Sequence, residues 1–215
     1  MLSFAEAFDL RRPTPEIIIQ GVFFAPYTKW EITIPKALAA RLVASGTLPD
    51  GYESEVSLLV GPWIAELSRT LECGGLLLAD YGLPRAQYYH PSRTGGSLTA
   101  FFRHRQVGDV LARPGLQDIT AWVDFTAVAE AAAGAGLDVA GFATQAHFLL
   151  STGLQQELAA AADGLDSGAQ ARLAQAVSTL MLPGEMGERC KVMLLTRGLA
   201  DVADGFTFRD LAATL

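Results

Sequence analysis

The sequence predicts an α/β fold in a single domain. Half of its 215 residues are hydrophobic, which is enough for a sizeable core. An apolar run, Leu76–Ala79, lies between paired glycines and an Asp-Tyr-Gly turn, as in a strand buried on both faces of a parallel sheet. Apolar residues at helical spacing precede this run, and strand-like and helix-like segments alternate after it. These three observations favour a sheet with helices packed against it.

The first polar residues after the apolar run are Asp80 and Tyr81. In a parallel α/β sheet the ligand binds at the carboxyl ends of the strands, so both side chains are candidates for a functional site. A structural interpretation is equally good, in which Asp80 caps the turn that Gly82 completes. The local pattern leaves both interpretations open.

The first 49 residues predict a helix, a β-hairpin and a second helix. A capping box begins the first helix, over residues 3–10. Residues 16–24 and 29–34 are rich in strand-forming residues, and the Ala-Pro-Tyr-Thr segment between them is typical of a hairpin. A proline in its first turn begins the second helix, over residues 35–44.

The middle of the chain predicts one long helix and one long loop. From Ser54 to Leu71 the apolar residues form one stripe at helical spacing, and Gly61-Pro62 is expected to kink this helix. After the strand at Leu76, the segment Leu83–Ser97 is polar and reads as a loop. Loops of this length inside a domain are usually functional or disordered.

The second half of the chain predicts alternating strands and helices. Asp124 is a good N-cap for a helix that Gly136 ends, and Ser167 is expected to cap a later helix. The predicted elements are strand Leu98–His104, helix Phe125–Ala135, strand Leu137–Thr144, helix Gln145–Thr152, helix Ser167–Met181 and strand Lys191–Thr196.

Composition excludes several classes of partner. The formal charge is −7, and no basic cluster exceeds Arg103-His104-Arg105, which argues against nucleic acid or an anionic membrane as the main partner. No apolar run is long enough to span a bilayer, and the first twelve residues do not resemble a signal peptide. Cys73 and Cys190 suit two reduced, buried thiols. We therefore expect a cytoplasmic protein.

Familiar catalytic motifs are absent from the sequence. His90, His104 and His147 match no zinc spacing, so no metal site is expected, and His147 reads as a hydrogen-bonded helix histidine. No Gly-x-Ser-x-Gly elbow is present for serine hydrolysis. The paired glycines precede a strand or lie in a loop, where they do not cradle a phosphate in the usual way.

A polar set after the apolar run remains as the candidate site. It contains a possible general base and an arginine, which is enough for a site but too generic to name a reaction. Its members are Asp80, Tyr81, Tyr89, His90, Arg93, His104, Asp118, Thr120 and Asp124.

A series of ordered motifs over residues 53–198 resembles the MidA/NDUFAF-type methyltransferases. The motifs are Leu78-Ala79-Asp80-Tyr81-Gly82, Tyr89-His90-Pro91-x-Arg93-x-x-Gly96-x-Leu98, His104, Pro114-Gly115-x-x-Asp118-Ile119-Thr120-x-x-Val123-Asp124-Phe125, Gln145-x-x-Phe148-Leu149 and Met186-Gly187-Glu188-x-x-Lys191-Val192. The resemblance implies a Rossmann-like, class I methyltransferase that uses S-adenosyl-L-methionine. The family's mitochondrial member is a complex I assembly factor that methylates an arginine.

The resemblance covers only the C-terminal half of such a domain. The family's first strand is followed by a glycine-rich loop for the cofactor, and its second by an acid for the ribose; this sequence shows neither, so cofactor-binding residues are unknown and weak cofactor binding is expected. By the family's topology the strand at Leu76 would be the fifth, that at Leu137 the sixth and that at Lys191 an antiparallel seventh. Residues 1–49 match poorly.

The resemblance implies roles for the polar set. Asp80, His104 and Asp118 would be catalytic, orienting or deprotonating a guanidinium group of a protein substrate, and a carboxylate pair can hold a guanidinium bidentately. The remaining members, expected to bind substrate, are Tyr81, Tyr89, His90, Arg93, Thr120 and Asp124. The alternative is an interaction or assembly module that keeps the fold but binds no cofactor.

Half a sheet is expected to leave a strand edge open. Folded proteins rarely leave unpaired backbone groups beside an apolar surface, so something should cover the edge of the Leu76 strand. The candidates are the hairpin at residues 16–34, a second copy in a homodimer, or an N-terminal half supplied separately.

Overall fold

The computed structural model describes residues 48–49, 52–199 and 204–215. The helices and hairpin predicted before residue 48 lie outside this range. In chain order the elements are α1 Val60–Arg69, β1 Gly74–Leu83, α2 Arg85–Tyr88, β2 Thr99–Phe102, β3 Arg105–Val107, β4 Asp118–Thr120, β5 Val123–Asp124, α3 Phe125–Gly134, β6 Asp138–Thr144, α4 Gln145–Ser151, α5 Leu154–Ala162, α6 Ser167–Met181, α7 Met186–Arg189 and β7 Cys190–Arg197. Two 3₁₀ turns follow, Asp204–Phe206 and Ala212–Thr214.

The chain divides into two compact units. The smaller unit contains Arg85–Trp122 together with the chain up to Ser57, and the larger unit contains Leu58–Pro84 and Val123–Leu215. The larger unit has a four-stranded sheet in the order β5-β1-β7-β6, and the smaller unit has a three-stranded sheet in the order β3-β2-β4.

The large sheet has the topology that the family resemblance implies. β7 lies between β1 and β6 and runs antiparallel to both. β1 and β6 are therefore parallel to each other, as expected for a fifth and a sixth strand separated by an antiparallel seventh. A short parallel pairing joins Gly82 and Leu83 of β1 to β5. The prediction of a Rossmann-like methyltransferase sheet is confirmed.

The core of the larger unit lies between one sheet face and helices α1 and α3. Its largest buried side chains include Ile64, Phe125, Phe142 and Leu195, and the Phe125 and Phe142 rings lie 5.2 Å apart. Gly82 is required beside them, because a Cβ there would come within 2.4 Å of the Val123 carbonyl oxygen. Burial of such side chains contributes about 1.5–3 kcal/mol each.

The second sheet face is covered only in part. Phe148 of α4 and Phe206 pack there against Val192, so β7 is buried along most of its length. β1 is not, because Leu77 on the same face is 55% exposed. The prediction that β1 is buried on both faces within a parallel sheet is wrong: its main partner is antiparallel, and no described helix covers its second face.

One edge of β1 remains open within the described part of the chain. Gly74 to Tyr81 pair with β7 on one side, whereas on the other side only Gly82 and Leu83 have a partner strand. The covering hairpin, the homodimer and the separate N-terminal half remain predictions. No helix in the described ranges is long and apolar enough to cross a membrane.

Helix boundaries follow local chemistry, with three corrections. Asp124 caps α3 by accepting from the Ala127 N–H at 3.1 Å, as predicted. The helix predicted from Ser54 begins at Val60, and Pro62 lies in its first turn, where its missing N–H would be unpaired anyway, so no kink is needed. Asp166, and not Ser167, caps α6.

Three other predictions also need correction. The loop Leu83–Ser97 contains the short helix α2, and the strand Leu98–His104 is shorter, because Arg103 and His104 form a hairpin turn between β2 and β3. Both cysteines are free, as predicted, but Cys73 is exposed and only Cys190 is buried. Cys73 lies just before β1, where it hydrogen-bonds the Gly198 carbonyl.

Candidate functional site

Asp80 and Tyr81 lie inside β1 and not beyond its end. The strand continues through Leu83, with Asp80 opposite Lys191 and Tyr81 opposite Cys190 on β7. Asp80 is exposed, and one of its carboxylate oxygens accepts the Tyr81 N–H at 2.7 Å. The second oxygen has no partner among the described residues. Asp80 therefore retains a carboxylate oxygen for a ligand, and it does not cap a turn.

Tyr81 is engaged by the neighbouring strand. It is the cross-strand partner of Cys190 on β7. Burial raises the pKa of the Cys190 thiol, and desolvation followed by the proximity of Cys190 raises the pKa of Tyr81. Both groups are thus neutral at physiological pH. Tyr81 can present a polar edge to a ligand, but it is no general base.

Lys191 is buried at the start of β7, which the sequence did not indicate. Its ammonium donates to the Glu188 carbonyl oxygen. Burial is the main cause that lowers the pKa of Lys191, and Cys190 and Glu188 oppose it. The cation is held by a backbone acceptor at the end of α7, where helix carbonyls lack partners.

A half-buried carboxylate, that of Glu55, organises the smaller unit. One oxygen of Glu55 accepts the Ser97 N–H at 2.6 Å and the Tyr88 hydroxyl at 2.9 Å, and the Ser97 hydroxyl also donates to it. Gly96 has φ +64° beside this carboxylate, and a Cβ there would overlap its other oxygen. Glu55 therefore fixes the end of the segment Arg85–Ser97.

The tyrosine pair of this segment is structural. The Tyr88 hydroxyl also lies 3.0 Å from the Trp122 carbonyl oxygen, and the Trp122 N–H donates to the Ser97 hydroxyl. Burial raises the pKa of Tyr88 well above its usual range. Tyr89, predicted to bind substrate, is 4% exposed and donates to the Glu55 carbonyl at 3.2 Å.

Sequence reasoning missed Glu55, Tyr88 and Ser97 as a group. Glu55 lies 33 residues from Tyr88 and 42 residues from Ser97. No local pattern connects partners at that separation, so only the folded chain reveals the network.

His90 and Arg93 lie in the part of the segment that follows α2. His90 is exposed, and its Nδ1 accepts the Ser92 N–H at 3.2 Å. The neutral ring must therefore carry its proton on Nε2. The Arg93 guanidinium lies 4.8 Å from the centre of the Trp122 ring, a cation–π contact. Local contacts position both side chains. Each side chain also has polar atoms that these contacts with described residues do not use.

The other predicted residues of the smaller unit lie on its sheet. His104 is exposed in the β2–β3 turn with φ +62°. Asp118 and Thr120 are exposed at alternate positions of β4, opposite Phe101 and Thr99, and so share one face. The structure thus groups Asp118 with Thr120.

Asp124 serves as the predicted helix cap, whereas His147 differs from expectation in its partners. The Asp124 carboxylate is used to cap α3. His147 stacks on Phe208 with ring centres 5.4 Å apart, but its Nδ1 is buried without a hydrogen-bond partner among the described residues, so the predicted hydrogen-bonded histidine is wrong. Burial, with Arg209 in second place, lowers the pKa of His147. The described residues contain no cluster of three or more metal-ligating side chains.

Comparison with known proteins identifies methyltransferase relatives. The model of the family described as "Putative S-adenosyl-L-methionine-dependent methyltransferase" matches residues 27–143. The Danio rerio protein named "Protein arginine methyltransferase NDUFAF7, mitochondrial" is 34% identical over 68% of this chain and 34% of its own length. Its Rattus norvegicus counterpart is 35% identical over 63% of this chain and 30% of its own length.

Solved structures agree with the sequence relatives. A COG1565 superfamily member from Burkholderia thailandensis bound to S-adenosyl-homocysteine is 37% identical, with a TM-score of 0.76, over 83% of this chain and 46% of that chain. A native structure of a COG1565 superfamily protein from the same organism has a TM-score of 0.78, with 37% identity over 85% of this chain and 48% of that chain. These matches confirm the resemblance, and S-adenosyl-L-methionine as the cofactor of these relatives' family.

The comparisons also show how much of its relatives' length this chain spans, and they correct its predicted cellular location. This chain spans about a third of the curated relatives and about half of the solved ones. The predicted cytoplasmic location is wrong, because the curated relatives are mitochondrial proteins. Reduced cysteines suit the cytoplasm and the mitochondrial matrix alike, so they could not distinguish the two locations.

Proposed function

We propose, from the premise that this chain belongs to the S-adenosyl-L-methionine-dependent methyltransferase family whose model it matches, that it forms the substrate-side part of a protein arginine methyltransferase. The observation that carries the proposal is the 37% identity, at a TM-score of 0.76, to a relative solved with S-adenosyl-homocysteine. The relatives named as arginine methyltransferases supply the substrate class.

The described residues do not provide a complete cofactor cradle. A glycine-rich connection between strand and helix would offer free N–H groups to the ligand. In the described chain, β5 leads directly into α3 and β6 directly into α4, and the side chains of Asp124 and Thr144 cap these helices. The first-turn N–H groups of Ala127 and His147 are thus already bonded. The described segments by themselves do not fit the cofactor.

The substrate-side chemistry is better supported. A guanidinium must be held by anions and must lose a proton before its nitrogen can accept a methyl group. Asp80 has a carboxylate oxygen without a described partner, and Asp118 is exposed beside Thr120. We assign Asp80 to guanidinium binding and proton acceptance, and Asp118 keeps the role that the resemblance implies as a prediction. His104 remains a further candidate base.

Arginine methylation by the complete protein tests this assignment. The acceptors are synthetic peptides with one arginine, and matched peptides carry lysine in its place. We expect methylarginine, detected by mass spectrometry, on the first set only. Removing a general base typically costs 10²–10⁴-fold in rate, so D80N should lose about 100-fold or more. D138N, which changes an exposed aspartate at the start of β6, is the matched control.

Two results would overturn the proposal. One is the absence of methylarginine while calorimetry shows S-adenosyl-L-methionine bound. The other is a D80N variant and a D118N variant that both methylate at the rate of D138N.

The second candidate function is a non-catalytic interaction or assembly module. The capped β–α junctions, with no cradle among the described residues, are the observation that favours it. A protein that binds no S-adenosyl-L-methionine by calorimetry and methylates none of the peptides would support this candidate. A part in complex I assembly, implied by the resemblance, belongs with either candidate as a prediction.

A further inference from the structure

Three arginines cluster around one phenyl ring on the sheet of the smaller unit. The guanidinium carbons of Arg113 and Arg103 lie 4.6 Å and 5.3 Å from the centre of the Phe102 ring. Arg105 is the cross-strand neighbour of Phe102, so its side chain lies on the same sheet face. We call Arg103, Arg105, Arg113 and Phe102 the arginine cluster.

The positive charge of the arginine cluster is not neutralised within the described chain. None of its arginines has an ion-pair partner among the described residues. The nearby acids do not compensate: Asp109 accepts the Leu111 N–H at 2.8 Å within its own turn, and Asp118 is opposite Phe101, on the other sheet face. Like charges held together without counterions favour binding of an external anion.

The cluster stands out against the charge of the whole chain. The segment Arg85–Trp122 has five arginines and two aspartates and no lysine or glutamate, so its formal charge is +3, whereas the whole chain carries −7. The turn that presents Arg103 is unusual, because Arg103 has φ +50° without being glycine. The loop that carries Arg113 also exposes two leucines, Leu111 at 47% and Leu116 at 72%.

We propose that the arginine cluster, with the exposed leucines of the adjoining loop, is a docking site for an acidic segment of a partner protein that also carries apolar side chains. Guanidiniums bind carboxylates bidentately. Stacking on the Phe102 ring limits the conformational freedom of these side chains before the partner binds. The leucines add apolar contact area beside the charges. The two proposals are tested by different measurements, peptide binding here and methyl transfer above, so the failure of one is distinguishable from the failure of the other.

Charge and chemistry favour an acidic segment over other anions. Nucleic acid and anionic membranes are extended polyanions, so they also bring charges within the Debye length, about 8–10 Å, of acidic residues elsewhere on this chain, which repel them. Two guanidiniums held on one ring suit several carboxylates along a peptide better than a single phosphate.

Fluorescence anisotropy with a labelled peptide tests the docking site. The probe is a 12-residue peptide of glutamate and leucine in equal number, and a lysine–leucine peptide is its control. We expect the full chain to bind only the acidic peptide, more weakly as salt rises. R103Q/R113Q should weaken binding about tenfold, whereas R69Q/R172Q, which removes the same charge from exposed helix positions, should change it less than twofold.

Several outcomes would overturn the inference. These are no binding of the acidic peptide, equal loss in both double variants, or equal binding of a 12-nucleotide DNA strand or of vesicles with 30% phosphatidylserine. Displacement by inorganic phosphate at constant ionic strength would assign the site to phosphate instead. Self-association in light scattering that R103Q/R113Q abolishes would make a second copy the occupant. A thermal melt of each variant verifies folding.

Discussion

Arg197 is the residue whose replacement should most clearly test the packing of the larger unit. Its guanidinium donates to four backbone carbonyls at the carboxyl ends of two helices. The distances are 2.7 Å to Ser68, 2.8 Å to Leu71, 2.5 Å to Ala135 and 3.2 Å to Gly136. One cation at the end of β7 thus satisfies the last carbonyls of α1 and α3, where a positive charge also complements the helix dipoles.

The cost of Arg197→Met follows from these contacts. Three of the four bonds are partly buried and the bond to Gly136 is exposed. A carbonyl left without a donor costs about 1–3 kcal/mol, and water reaching partly buried oxygens keeps each loss near the lower value. We expect a total of about 3 kcal/mol. For a chain of this size that corresponds to a fall of about 6–12 °C in Tm.

Urea unfolding followed by circular dichroism measures this loss. Arg197→Lys should recover about half of it, because an ammonium has three donors and cannot span four carbonyls. Arg172→Met, at an exposed position on α6, is the control and should stay within about 0.5 kcal/mol of the unmodified protein. If Arg197→Met matched this control, or Arg197→Lys matched arginine, the guanidinium would not stabilise the two helix ends.

Two further predictions concern close packing and pH. Gly82→Ala places a methyl group 2.4 Å from the Val123 carbonyl oxygen and 2.6 Å from the Phe125 ring. We therefore expect the free energy of unfolding, measured with urea, to fall by about 1–3 kcal/mol or more. A fall no larger than that of Gly134→Ala, where a Cβ meets nothing within 4 Å, would contradict this prediction. Because burial holds the pKa of His147 below 6.5, its contribution to stability is complete above pH 6.5 and is lost as the pH falls from 6.5 through the lower native pKa. His147→Gln should therefore flatten the decline of Tm between about pH 7 and 5; an unchanged slope would exclude His147 as its cause.

Local signals in the sequence were sufficient to predict many of the helices and strands. Asp124 and Gly136 bound α3 because capping depends on residues within one helical turn. The strands β1, β6 and β7 were also predicted from their apolar runs alone. Their order came from the family resemblance, since no local pattern distinguishes antiparallel β7 from a parallel strand.

The sequence predicted which residues the candidate site contains, but not the contacts that those residues make. The sequence placed Asp80, His104 and Asp118 among polar segments, and the structure leaves all three exposed. It gave no sign that Tyr89 would be buried and bonded to the Glu55 carbonyl, or that Tyr81 would lie opposite Cys190. Such assignments depend on which side chain arrives from a distant segment.

Long-range packing decided the remaining features. Leu77 is an apolar residue within a strand, a type that is usually buried, yet its side chain is exposed. Burial depends on what covers the sheet face and not on the residue itself. Arg197 reads in the sequence as the polar end of a strand, and only the folded chain brings the ends of α1 and α3 to its guanidinium. Hydrogen bonds within a few residues are encoded locally, whereas partners more than 30 residues apart are selected by the packing of the whole core.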